Sequence, residues 1–285
     1  SDSREIALRA GIKQTEALAC ANMAIVYTSP EWQGESDESD AGLYEKWTVK
    51  SIELRKEIGE LLHLPLQIRQ YASMLMEMER YDEAKEQAID LMSICEGTPF
   101  EAIGRAHGNN LLGLISDNIG NHDEALSFYS KSVKTFNALG DMASVATLYY
   151  NQALVYENLG YFSQYRDMMM NAITTKRAID NKEWLMIEIN PFGNALVNHG
   201  EYDSAEALFD ECLIIATEFG NQLYQGHSLH NKGLLRGKKN QYDSAEDFLI
   251  RAIAKYDEIG DIGCKEVSEK ALTNLIAERD ASNFE

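Results

Sequence analysis

The sequence predicts an all-α protein: a solenoid of about six helix–turn–helix pairs with a C-terminal capping helix. Three observations predict it. A short turn pattern recurs at a period of about 40 residues, small residues keep a fixed distance from each copy, and only 4 of 285 residues are proline against 45% apolar. Proline breaks helix interiors, so its scarcity in an apolar chain favours long uninterrupted helices over disorder.

The turn reads Arg80-Tyr81-Asp82-Glu83-Ala84, Asn121-His122-Asp123-Glu124-Ala125, Glu201-Tyr202-Asp203-Ser204-Ala205 and Gln241-Tyr242-Asp243-Ser244-Ala245, with a weaker copy at Tyr161 to Tyr165. From Ala84 through Ala125, Tyr165 and Ala205 to Ala245 the steps are 41, 40, 40 and 40. Chance does not hold that register, and a fixed period of this size marks a repeat architecture. Before each anchor comes a small residue: Ala72, Gly113, Ala153, Gly193 and Gly233. Small side chains there let two helices approach closely. After the anchors come Leu91, Ser132, Ala172, Cys212 and Ala252, mostly small again. Gly120, Gly160 and Gly200 close one helix of each pair, and Gly140, Gly220 and Gly260 close the other.

Taken in order, the first pair covers 4–60 and is degenerate. Asn22 to Tyr27 matches the end of a first helix and Tyr44 to Gly59 a second, with an insertion at 29–40 rich in Glu, Asp, Ser and Gly between them. Pairs follow at 64–98, 99–140, 141–180, 181–220 and 221–260, and 262–280 closes the array. No helix here buries its apolar stripe alone, so each pair completes its core on the next. A terminal pair would expose an apolar flank, which the closing helix covers while turning a polar face outward. The whole chain, 1–285, reads as one repeat domain. Because Ser1 begins almost directly inside a helical pattern, a segment of something longer is expected.

Composition removes several functions. With 26 Lys+Arg against 46 Asp+Glu the net charge is −20, and no basic cluster interrupts it. Phosphate backbones and anionic lipid surfaces repel such a chain, so neither nucleic acid nor membrane is expected as a partner. No apolar run reaches the ~20 residues of a membrane span, and no signal peptide is visible at the N-terminus. Cys20, Cys95, Cys212 and Cys264 lack metal-ligand spacing and read as small buried hydrophobes of a reducing, cytoplasmic compartment. There is no GxSxG, phosphate loop, GxGxxG after a strand or HExxH. The chain is therefore expected to be no enzyme and to need no metal or cofactor.

These repeats resemble the tetratricopeptide-repeat family. Leu112-Gly113 through Ala125 and Phe192-Gly193 through Ala205 carry the resemblance most clearly, and it covers residues of about 5 to 280. The period is 40 instead of 34, and the early tryptophan and closing proline are missing. The longer period is similar to a subgroup found in bacterial peptide-sensing regulators, sensors of large transcription activators and signalling scaffolds. The resemblance implies a right-handed superhelix whose first helices line a concave groove.

On that reading the groove collects Arg69 and Glu77; His107, Asn110 and Asn118; Tyr150 and Asn158; Asn190, Asn194 and Asn198; and His227, His230 and Lys238. Asn118, Asn158 and Asn198 recur at the period, and Asn110 and Asn190 share a second place. A carboxamide offers donors and an acceptor together, so a row of them suits an extended peptide backbone. Asn is also a poor helix-interior residue. At 118, 158 and 198, one or two residues from a helix end, local capping competes with that role. His227 and His230 lie three apart but find no third metal ligand, which favours a polar groove wall. The function expected is binding of a peptide or protein segment as the sensing part of a signalling or transcription-regulating protein, with homo-oligomerisation compatible. A constitutive scaffold docking a folded partner is the alternative, and an enzyme in the groove comes last.

Overall fold

The computed structural model describes residues 2–28 and 40–282. The acidic insertion at 29–40 lies, but for Asp40, outside them. Among the described residues there are thirteen α-helices and no strand. The chain is an all-α helical-repeat solenoid. Its backbone divides into two compact units, Ser1–Tyr165 and Arg166–Glu285.

The first unit holds α1 (Asp2–Thr28), α2 (Asp40–Ile58), α3 (Leu64–Glu77), α4 (Tyr81–Cys95), α5 (Glu101–Asn118), α6 (His122–Leu139) and α7 (Met142–Asn158). Neighbouring helices in this run pack pairwise, and α3 also packs on α5. Its core runs from Leu64, Ile68, Leu75 and Leu91 to Leu111 and Ile115, then on through Tyr129, Phe136 and Leu148. Burying a side chain of this size contributes about 1.5–3 kcal/mol. That is the term that holds helices too weakly amphipathic to stand alone. The small residue before each anchor has a visible cause. A Cβ on Gly113 would lie 2.6 Å from the Tyr129 ring, so helices α5 and α6 meet there with no room for alanine.

The second unit takes most of α8 (Phe162–Ala178), then α9 (Lys182–Asn198), α10 (Tyr202–Glu218), α11 (Gln222–Lys238), α12 (Tyr242–Ile259) and α13 (Ile262–Ser282). The same close approach recurs, with the Phe209 ring 2.3 Å from a Cβ on Gly193. Helix α13 packs on α12 and α11 through Ser268, Leu275 and their neighbours. It exposes Glu266, Glu269 and Thr273, in the register where α11 carries Gly226, Leu229 and Gly233 to meet its own partner helix. That face of α13 is polar where the corresponding face of α11 is apolar.

The helix ends share one backbone form. After α5, Gly120 takes φ 80° and the Asn121 N–H donates to the Ser116 carbonyl at 2.8 Å, closing the helix with a left-handed residue. Where the register lacks glycine the conformation persists. Glu79, Asp180 and Asn240 hold φ of 59°, 55° and 58°. For a side chain with a Cβ that region costs about 1–2 kcal/mol, so the packing of adjacent helices, not the local residue, dictates these turns.

Candidate functional site

In the first unit the face of α5 carries His107, Asn110, Leu114, Asp117 and Asn118 at helical spacing. His107 is half-buried, edge-on to Phe136 at 5.0 Å, and burial, then the nearby Arg69, holds it below the usual histidine range. Asn110 is only 8% exposed, and its carbonyl oxygen has no hydrogen-bond partner among the described residues. Such an acceptor, withdrawn from water and unpaired, costs roughly 1–3 kcal/mol. Asn118 is exposed and its Nδ2 donates to the Leu114 carbonyl at 2.8 Å, the local helix-end bond its position allows. Arg69 and Glu77 are exposed on α3, Tyr150 is half-buried on α7, and Asn158 is exposed near the end of α7.

The second unit treats the same register differently. Asn190 is 5% exposed and engaged on both sides. Its Nδ2 donates to the Cys212 sulfur at 3.2 Å, and its oxygen accepts from Nδ2 of Asn231 at 3.3 Å. Burial pushes the Cys212 thiol up, so it stays neutral inside this network. Asn194 and Asn198 are exposed further along α9, and Lys238 is exposed at the end of α11. His227 and His230 do not converge. Nδ1 of His227 meets the Tyr256 hydroxyl at 2.8 Å, whereas Nδ1 of His230 meets Ser268 of α13 at 2.8 Å. Burial, chiefly, holds both below the ordinary range. Among the described residues no three His, Cys, Asp or Glu side chains are placed to hold a metal ion.

Other polar residues came to light only in three dimensions. Gln152 donates to Ser130 at 3.0 Å, and Lys232 pairs with Asp210 in the corresponding place of the second unit. Each follows an asparagine, Asn151 or Asn231, so a two-repeat period of 80 was the available signal. Lys176 and Glu188 form a buried ion pair between α8 and α9, and the equivalent positions one repeat on are Ala216 and Ser228. Trp184, Ile187 and Pro191 line one exposed stripe of α9, an apolar run that the asparagines beside it obscured.

A family model described as tetratricopeptide repeat matches residues 186–258, and a second of the same description matches 106–137. Those two segments carry tetratricopeptide repeats. Its fold is similar to that of the apo form of RapI, with 16% identity and a TM-score of 0.70 over 96% of this chain and 73% of that one. Aspartyl phosphate phosphatase F from Bacillus subtilis is similar at 13% identity and a TM-score of 0.58, covering 82% of this chain and 65% of that one. A signal transduction ATPase with a tetratricopeptide repeat sensor, from Pyrococcus horikoshii, gives 15% and 0.58 over 86% and 41%. At these identities the likeness is one of fold. No curated protein matches the chain in sequence. The two matched segments cover the tetratricopeptide repeats that hold Asn110 and Asn190, one in each unit.

Proposed function

We propose that this tetratricopeptide-repeat chain is a peptide-binding interaction module, the sensing segment of a signalling or transcription-regulating protein, and that the first-helix face of its first unit grips the ligand. One observation carries the reading. Asn110 offers a buried acceptor that the fold leaves unpaired, on the same face of α5 as His107 and Asn118. Its counterpart Asn190 is saturated internally. A rotation of the Asn110 carboxamide toward the groove would let a peptide N–H donate to its oxygen and remove the cost of the unpaired acceptor, a gain independent of the peptide's side chains. His107 and the exposed Arg69 and Glu77 would then read those side chains. The sensor role of the repeats in the similar ATPase supports the regulatory part. The free thiols of Cys20, Cys95, Cys212 and Cys264 suit action in a reducing cytoplasm.

Peptides selected from a random library on the purified chain supply the probe. On binding, backbone hydrogen exchange is expected to slow in α3, α5 and α7. Protection confined to outward-facing second helices, with α5 unchanged, would instead make the chain a scaffold for folded partners.

A further inference from the structure

A second surface lies in the second unit, on the exposed stripe of α9. Among the described residues Pro191 is the only proline set beyond the first turn of a helix. It has no N–H to give, so the Ile187 carbonyl four residues back loses its helical donor, and the proline ring presses on that same carbonyl. Ile187 is 39% exposed and Pro191 is exposed too, so the unclaimed acceptor opens on the solvent side of the helix. The repeat does not require this. The same place in α5, α7 and α11 holds Leu111, Asn151 and Asn231, each of which keeps its N–H. Two further groups share the stripe. Glu183, one turn before Ile187, is exposed and has no ion pair among the described residues, whereas the adjacent Lys182 is taken by Glu218. Trp184 is 55% exposed. Lys176 lies over one face of its ring, 5.6 Å from the centroid, with its charge answered by Glu188. The ring already seats one cation, and its open side turns the same negative π-face outward.

We infer that this stripe receives an arginine side chain of a partner protein. The guanidinium lies against the open side of the Trp184 ring, and its N–H groups divide between the Glu183 carboxylate and the Ile187 carbonyl. The three groups select the same occupant. An aromatic face and an unpaired carboxylate each attract a cation, and a carbonyl without its helical donor needs an N–H. Arginine meets all three at once, with a flat charge that stacks and a fixed fork of donors; lysine offers a hydrated point charge that stacks less well. An aliphatic side chain would leave both oxygens unanswered, and an acidic one is repelled by Glu183. A second copy of this chain, with its own net charge of −20, is an unfavourable source of that arginine.

The test passes mixtures of short random peptides, with arginine, lysine or glutamine fixed at the centre, over the immobilised full chain and measures what is retained. Attraction to the chain's net charge alone holds the arginine and lysine mixtures equally. The stripe is expected to hold arginine over lysine by about threefold or more, and both over glutamine. Glu183→Gln and Trp184→Leu are each expected to bring the arginine excess to about 1.5-fold or less. Because both side chains are exposed, circular dichroism of these variants is expected to match the parent. Pro191→Ala gives the helix back its N–H and is expected to raise the melting temperature while removing the excess, opposite signs that a purely structural proline does not produce. Equal retention of arginine and lysine by the parent, or an excess that survives Glu183→Gln or Pro191→Ala, would overturn the assignment. Asn110→Ala is expected to leave the excess unchanged, which keeps this outcome separate from that of the peptide groove; a loss there would move the arginine to the first unit and overturn it as well.

Discussion

Asn110 and Asn190 occupy the same place in two repeats and do different things. In the first unit the residue is buried with an unpaired oxygen; in the second it closes a network with Asn231 and Cys212. The difference is the donor to the carboxamide oxygen, which Asn231 supplies to Asn190. The residue at the other end does not differ in its own bond: Ser132 donates to the Ala106 carbonyl at 2.8 Å and its equivalent Cys212 to the Met186 carbonyl at 3.6 Å. Across the helix, Leu111 is buried beside Asn110, where the second unit exposes Pro191. Repetition of a residue type in a solenoid therefore preserves geometry without preserving role, because each copy meets a different set of neighbours.

Among the described residues the second unit buries the more charge, in Lys176, Glu188 and Lys232, and its largest vulnerability is the Lys176–Glu188 pair. Glu188→Ala leaves the lysine buried without its carboxylate and is expected to cost about 3–5 kcal/mol, whereas Lys176→Met with Glu188→Leu is expected to be near neutral or stabilising. Urea unfolding of the three proteins checks it, and a mild loss in the single variant would mean that water already reaches the pair. Next comes the asparagine comparison itself. Asn190→Ala strands the Asn231 amide and is expected to lose about 1–2 kcal/mol, while Asn110→Ala removes an unpaired group and is expected to lose less than about 0.5. Equal losses would break the contrast between the units.

Acid should weaken the fold through the histidines. His107, His227 and His230 are held below the ordinary value near 6.5. The folded state therefore disfavours their charged forms. Stability is full above that value and falls as pH drops through it toward the lowered folded values. Melting followed from pH 8 to about 5 should show the decline, and His230→Gln should reduce it. The smallest effects belong to the left-handed turns. Glu79→Gly in the first unit and Asp180→Gly in the second should each stabilise by about 0.5–1 kcal/mol, alike in both units because the turn is alike.

Much of this was written in the sequence. The anchors Ala84, Ala125, Ala205 and Ala245 are fully buried, and the three turns that carry the tyrosine–aspartate pattern, at Tyr81, Tyr202 and Tyr242, each open the second helix of a pair. Small-residue spacing located the close approaches, because only packing distance selects glycine inside a helix. The site was less legible. Periodicity marks which residues share a face, yet burial depends on the neighbour across the interface, so the pattern that set Asn118 apart as a helix-end residue did not show that Asn110 is buried. The Lys176–Glu188 pair left no mark on the period, since it is a single departure from it.

The most direct measurement titrates a library-selected peptide against the parent chain, Asn110→Ala and Asn190→Ala, with each variant's melting recorded alongside. The account predicts about tenfold or greater weakening for Asn110→Ala at nearly unchanged melting, and little weakening for Asn190→Ala despite its lower stability. Peptide affinity that ignores Asn110, or follows Asn190 instead, would contradict it.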